Sequence, residues 1–328
     1  INVDGLPISK SSNKQLWPIQ ACIFDKEYKY PPFLIGCYYG NSKPRDANEF
    51  LQLFANEIPL FKEFCLNGKL IIGQIRAIIC DVPAKSFITY TKGHTGYHAC
   101  GKCIQEGKFV NNRMTFPECD ALLRSDENFK NKTYEDHHTG TLILQSFANM
   151  VTQMPLDYQH LVLHGVTKKL LLYWTKGPLP SRLNSRQIKV LNENLISMQM
   201  YIPSEFCRKP RSIYELDRWK ATELRLFLLY IGPIVLKKVL PDDKSGELYS
   251  SEFLTYNVHN LVHINVDVLK YGALDNFSTF KFENNMMKIK KYLKKRNKPL
   301  EQLNNRISEE NLLHKRSDFK IVESSPVL

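Results

Sequence analysis

The sequence predicts an α/β domain interrupted by a large, mainly α-helical insertion. Short apolar runs rich in aromatic and β-branched residues recur through the first 80 positions, as buried strands do. Residues 139–265 carry the 3.6-residue apolar period of helices instead. With 328 residues, 43% of them hydrophobic, the chain has enough apolar side chain for one large core or two modest ones.

Residues 1–4 read as a short strand. Residues 16–24 (LWPIQACIF) and 33–39 (FLIGCYY) read as two more. The turn NSKPRD at 41–46 leads into a predicted helix over 48–66, with Phe50, Leu51, Phe54, Ile58 and Phe61 on one stripe. Asn67-Gly68 is expected to close that helix. Residues 70–80 are expected to form a fourth strand with Asp81 at its end and Pro83 beyond. Residues 91–135 look irregular. The clearest helices in the following stretch are 157–174 and 212–236. Residues 276–296 read as one more helix with a basic second half, and 299–328 as a polar, frayed tail. The expected organisation is therefore 1–99 as the first part of the α/β domain, 100–265 as the insertion, 266–298 as the closing helix and 299–328 as the tail.

Forty-five Lys and Arg against 33 Asp and Glu leave a net charge of +12. A surplus of that size attracts polyanions: nucleic acid is the usual partner, a basic peripheral membrane protein the main rival, and a ribosome-bound or merely basic soluble enzyme the plain alternative. No apolar run approaches the roughly 18 residues that span a bilayer, so no membrane is expected. Cys22, Cys37, Cys65, Cys80, Cys119 and Cys207 are scattered singly and read mostly as reduced, buried side chains in a reducing compartment. Ile1 opens the chain without Met, which predicts a piece of a longer protein.

Two acids stand at predicted strand ends: Asp4 in Val-Asp-Gly and Asp81 in Ile-Ile-Cys-Asp-Val-Pro. Carboxylates brought together repel, and divalent cations relieve that repulsion. A third is expected at Glu283, in Phe-Lys-Phe-Glu-Asn-Asn, with Asp157 as the other candidate. As plain structure, the aspartates would be turn residues or helix caps, and Glu283 a solvated side chain. Cys100 and Cys103 have thiolate spacing for zinc, and His259 and His263, four apart on a helix, share a face. Together they would make a closed Cys2His2 site. A local set of His94, His98, Cys100 and Cys103 stays open, as do the pairs His160/His164 and His137/His138.

Lys288, Lys290, Lys291, Lys294, Lys295, Arg296 and Lys298 follow Glu283. Arg208, Lys209 and Arg211 form a second basic group, and Lys168 and Lys169 a third. Such runs are solvated faces by default. Beside an active site they become phosphate contacts. Trp174 and Trp219 are expected in the core.

As a set, these residues resemble transposases of the CACTA/Mirage/Chapaev type and, more distantly, the V(D)J recombinase catalytic core. The strings that carry the likeness are NVDGLPISKSSNKQLWPI, IICDVPAKSF, KGHTGYHACGKC, LDYQHLVLHGVTKKLL, EFCRKPRSIYELDRWKATELRLFLLYIGP, YNVHNLVHI and FKFEN, spread from residue 2 to residue 284. The order also agrees: Cys100 follows Asp81 by 19 residues and Glu283 follows His263 by 20. The resemblance implies a ribonuclease-H-like fold and a cut-and-paste DDE transposase. It implies Asp4, Asp81 and Glu283 as ligands of catalytic Mg²⁺ or Mn²⁺, and Cys100, Cys103, His259 and His263 as ligands of structural Zn²⁺. It further implies a homodimer, a nuclear location, and end recognition by a region upstream of Ile1. One departure stands out: His259 and His263 are one residue closer together than the recombinase's pair. A transposase-derived protein that binds DNA without cutting is the alternative reading. A zinc-braced helical scaffold unrelated to DNA is a third.

Overall fold

The computed structural model describes residues 1–9, 12–25, 27–179, 181–237, 239–240, 251–295 and 297–320, so Arg296 lies outside the described residues. The chain divides into two compact units, Ile1–Arg76 with Phe280–Leu328, and Ala77–Thr279. The sequence reading drew its borders at 99/100 and 265/266.

The first unit is built on an antiparallel sheet. β3 (Gln15–Ala21) is its middle strand, with five consecutive residues buried. β4 (Phe33–Gly40) pairs along one edge. β1 (Asn2–Val3) and β2 (Leu6–Pro7) share the other edge. They keep a single register, with Val3 opposite Ile19 and Leu6 opposite Leu16, so they are two pieces of one strand. The interruption is Asp4-Gly5. In this register Asp4 falls opposite Pro18, which has no N–H to give a ladder. Gly5 fits because a Cβ there would meet the Trp17 ring at 3.2 Å.

Both sheet faces are covered. α1 (Ala47–Lys62), capped by Asp46 on the Glu49 N–H, sets Phe50 edge-on against Trp17 and Tyr38. On the other face α10 (Phe280–Tyr292) and α11 (Pro299–Lys320) bring Met286, Ile289 and Leu303 against Leu6 and Leu16. The expected frayed tail is thus a helix as far as Lys320, held by buried Leu303. α10 ends at Tyr292, before Lys294 and Lys295, whose backbone N–H groups donate to the Gln302 side chain instead.

The expected helix over 48–66 is corrected, and of the strand expected over 70–80 the described strand is Lys69–Ile72. The chain leaves α1 at Lys62 and forms a hairpin of β5 (Glu63–Leu66) and β6 (Lys69–Ile72). Asn67 and Gly68, at φ 50° and 75°, make its two-residue turn. Asn-Gly is the strongest short hairpin signal, because both positions need φ > 0. Beyond β6, the Ile78 N–H donates to the Gln153 carbonyl at 2.8 Å.

The second unit is mostly helical. Its helices are α2 (Val82–Thr89), α3 (Asp126–Lys130), α4 (Lys168–Lys176), α5 (Ser185–Ser197), α6 (Ala221–Leu226), α7 (Gly232–Leu236), α8 (Tyr256–His259) and α9 (Ile264–Tyr271). Within residues 91–135, read as irregular, lies a small hairpin, β7 (Lys108–Val110) with β8 (Arg113–Thr115). The predicted helix over 157–174 is a π-helix, Gln159–Thr167, running into α4. That over 212–236 is broken: a 3-10 turn (Ile213–Arg218) and extended Trp219 precede α6, and a π-turn (Phe227–Ile231) precedes α7. Trp174 and Trp219 are buried, as expected of core side chains. Of the six scattered cysteines only Cys80 is fully buried; Cys65, Cys119 and Cys207 are exposed. Cys65 is exposed because it sits on the β5–β6 hairpin, all four of whose β5 residues face out.

Gly165 shows how closely the π-helix is packed. A Cβ there would sit 2.5 Å from the Asn257 amide and 2.9 Å from the His160 carbonyl oxygen. Gly165→Ala is expected to lower stability by about 1–3 kcal/mol, read as a lowered urea midpoint with an unchanged slope.

Candidate metal centre

Four side chains from two distant stretches meet in the second unit. Cys100 and Cys103 lie on the loop after α2. His259 ends α8, and His263 ends the 3-10 turn Asn260–His263 between α8 and α9. Both cysteines are 0% exposed, and His259 and His263 are 3% and 5% exposed. Their ligand atoms all lie within 4.8 Å of one another. Cys103 Sγ is 3.2 Å from His259 Nε2, which is 3.2 Å from His263 Nε2. Tetrahedral zinc, with Zn–S near 2.3 Å and Zn–N near 2.0–2.1 Å, separates its ligands by about 3.3–3.8 Å, so these residues fit that ion. The local alternative does not assemble: His94 is exposed, and His98 turns its Nε2 towards Asp136 at 3.9 Å.

The surroundings hold the four in place. Arg124 donates from Nε to the Cys100 carbonyl at 2.9 Å, and its N–H to the Lys102 carbonyl at 2.8 Å. The Lys102 ammonium, between the two cysteines, is buried on Asp267 at 2.8 Å and the Val151 carbonyl at 3.1 Å. Asp267 Oδ2 accepts the Leu156 N–H. Removing one partner would leave a buried charge, so this pair fixes the loop more than it stabilises the fold. The buried Gln105 amide lies 3.0 Å from His259 Nδ1, on the ring edge away from the cluster. Asn260, wholly buried, donates to the Tyr256 carbonyl and turns its Oδ1 to Cys100 Sγ at 3.7 Å.

Burial opposes ionisation of Cys100, but hydrogen bonds from Cys103, His259 and His263 hold its thiol well below the usual range. The hydrogen bond to Cys100, together with burial, pushes Cys103 the other way. The site thus favours one buried thiolate, and a second requires a cation.

The predicted acids are distributed over both units. Asp4 stands in the interruption of the first strand and accepts the Gly5 N–H at 2.6 Å. Glu283 is half-buried in the first turn of α10. An amide chain lies two residues from each: buried Gln20 donates to buried Asn2 at 3.2 Å, and half-buried Asn285 donates to Gln20 at 2.8 Å. Asp81, in the second unit, is the N-cap of α2, its Oδ1 accepting the Ala84 N–H at 2.8 Å. Asp157 has its carboxylate fully engaged. It accepts the backbone N–H groups of Gln159, His160 and Thr279, the Thr279 hydroxyl and the His160 ring Nδ1. That leaves it no role as a third metal ligand, because every lone pair already has a donor.

Among the basic residues, Arg211 is taken by a two-pronged pair with buried Glu223, at 2.5 and 2.6 Å. Lys169 donates to the Phe253 carbonyl and the Thr255 hydroxyl, and burial draws its ammonium down to about 8. Lys168 donates to the Asp217 carbonyl, Lys288 pairs with Glu310, and Lys290 reaches the Pro7 carbonyl. Lys291, Lys294, Lys295, Lys298, Arg208 and Lys209 are exposed. The sequence reading listed Asp157 and His160 separately and missed their pairing, although an acid three residues before a histidine was a local signal. The Lys102–Asp267 pair had none, its members lying 165 positions apart. Comparison of the chain with protein-family models, with curated proteins and with solved structures finds no match.

One zinc per chain is expected by elemental analysis. Cys103→Ser should abolish it, and a strong chelator should lower the melting temperature of the wild type. His137 supplies a pH test nearby. Its Nδ1 donates to the His98 carbonyl at 2.6 Å, and burial draws the imidazole down to about 3, with Arg124 adding. The unfolded chain takes up that proton near 6.5. The neutral ring therefore contributes stability above about pH 6.5 that is lost as pH falls towards 3. Between pH 7 and 4.5 this amounts to about 2–3 kcal/mol, and His137→Gln should remove that part of the acid sensitivity in urea titrations.

Proposed function

We propose that this chain is the catalytic core of a DDE-type cut-and-paste DNA transposase, with a ribonuclease-H-like domain carrying a zinc-braced helical insertion. The observation that carries the reading is the meeting of Cys100 and Cys103 with His259 and His263. The resemblance named those four from order alone, over other histidine pairs of equal spacing. The first unit adds support of a coarser kind: antiparallel strands, a crossing helix, and Glu283 on a helix that packs back onto the sheet.

On this reading Asp4, Asp81 and Glu283 hold Mg²⁺ or Mn²⁺. The ions would supply charge neutralisation at the attacking and leaving oxygens of a phosphodiester. Carboxylates are the donor class such hard cations take. The exposed Lys291, Lys294, Lys295, Arg208 and Lys209 would grip the DNA backbone without reading bases. Zinc would brace the insertion, its four ligands leaving no open position for chemistry. A nuclear homodimer acting on double-stranded DNA completes the proposal.

One observation favours the non-cutting alternative. Asp81 caps α2, a structural task that would keep an acid at this position without catalysis. Asp81→Asn separates the two, since Asn caps a helix about as well as Asp. The wild type should nick supercoiled plasmid in Mg²⁺ or Mn²⁺. Asp81→Asn should bring nicking to background while changing stability by less than about 1 kcal/mol. Salt-sensitive DNA binding with no nicking by the wild type would leave the non-cutting reading.

A further inference from the structure

The β5–β6 hairpin presents apolar side chains to solvent on both of its faces. Its register sets Cys65 opposite Leu70 and Glu63 opposite Ile72 on one face. Phe64 opposite Ile71 and Leu66 opposite Lys69 make the other. Phe64, Leu66, Leu70 and Ile72 are 37–73% exposed. The base of the hairpin is tied down: the Gly73 N–H donates to the Phe61 and Lys62 carbonyls, and Phe64 stands edge-on to Phe61 at 6.5 Å. Beyond that base, two strands alone are marginal in water. Leu53, Leu60 and Phe61 of α1 are exposed as well. These seven side chains offer on the order of 700 Å², near the roughly 800 Å² that each partner gives to a stable interface. The same unit holds a concave counterpart. Ile35, Cys37 and Tyr38 of β4 and Phe50, Leu53 and Phe54 of α1 line one groove of about 530 Å³. The charged residues along it are Arg45 against Asp46, Glu49 and Glu57. Glu49 and Glu57 are exposed, as is Lys69 at the hairpin tip.

We propose that the groove receives the β5–β6 hairpin of a second copy of this chain, each copy giving its hairpin to the other about a two-fold axis. A hairpin that is apolar on both faces needs cover on both, which a groove gives and a flat surface does not. The chain's own hairpin is exposed and leaves its own groove open. The groove has ordinary binding-pocket size, about 300–1,000 Å³, so it takes the tip residues Leu66 and Leu70, not the whole hairpin. Charge agrees. The net negative groove meets Lys69, whereas a chain of net charge +12 repels its copy over most other surfaces. Between Glu63 and Ile72 the only charges are Glu63 and Lys69, so the hairpin offers nucleic acid or an anionic membrane no surplus. Hairpin and groove are present on every copy, so one two-fold contact satisfies both and closes at the dimer. The contact gives the homodimer of the proposed function an interface and rests on that reading in nothing else.

Sedimentation velocity of the full chain over a range of micromolar concentrations tests this. The wild type is expected as a dimer. Leu70→Asp should raise the dissociation constant by about a hundredfold or more, and Lys69→Glu by about tenfold, because each substitution counts twice in a two-fold dimer. Glu49→Lys with Glu57→Lys should weaken it by a similar factor. Combining those two with Lys69→Glu in one chain should return the dissociation constant to within about threefold of the wild type, the signature of charges that meet across the contact. All four positions are exposed, so every variant should keep the wild-type circular dichroism, which separates a lost contact from a lost fold. A monomeric wild type overturns the proposal, as does a dimer that these variants do not weaken. A combined variant no tighter than its parts overturns it too. Species that grow past the dimer with concentration overturn the closed exchange. Monomer that floats with phosphatidylserine vesicles overturns the second copy as occupant and assigns a lipid surface. A dimer with charge-swap rescue and no plasmid nicking supports the contact while sinking the transposase reading. Nicking by a chain that stays monomeric does the reverse.

Discussion

The second unit depends on a convergence that costs free energy until a cation joins it. Two thiols and two imidazoles, with Cys103 and His259 156 positions apart, are packed where water does not reach. Burying one thiolate is opposed by desolvation, and a second beside it is opposed by the first. A doubly charged ion removes both objections, and structural zinc sites contribute on the order of 10–16 kcal/mol in small domains. The neighbouring polar groups make sense in that frame. Lys102 on Asp267, Arg124 on the Cys100 carbonyl and Gln105 beside His259 are themselves buried, and each holds a ligand-bearing backbone or ring in position. An ion held by these four side chains would tie the segment between Cys103 and His259 at its two ends.

The same bookkeeping of polar groups separates the acids. Asp157 receives five hydrogen bonds and has nothing left for a metal. Asp81 serves a helix N-terminus with Oδ1, an arrangement that orients its carboxylate. Asp4 stands opposite a proline of β3, between two strand pieces that keep one register.

Much of this was legible because the signals are local. The apolar runs at 16–24 and 33–39 became β3 and β4, and the stripe through Phe50 and Leu51 became α1. Cys-x-x-Cys announced a metal site by spacing, although the choice among histidine pairs came from the resemblance. The failures have physical causes. Phe64, Cys65 and Leu66 continue an apolar pattern that suits either a helix or a strand, and the Asn-Gly turn after them decided for the hairpin. The basic run after Glu283 read as one helix, yet α10 stops at Tyr292, where Gln302 of α11 captures the N–H groups of Lys294 and Lys295.

The π-helix shows why pattern reading found the residues at 157–164 but not their relation. An α-helical wheel puts His160 and His164 on one apolar face and invites a metal pair. The wider π-turn keeps both imidazoles on one side, and it presses Gly165 so close to Asn257 that a methyl group would not fit. Asp157 then closes the N-terminus of that turn and takes the His160 ring with the same carboxylate. One acid thus satisfies N–H groups at the start of the π-helix and orients the ring of a partly exposed base. Replacing that acid by a neutral cap would preserve the helix and release the ring, which is why capping and imidazole orientation have to be separated at His160 and not at Asp157.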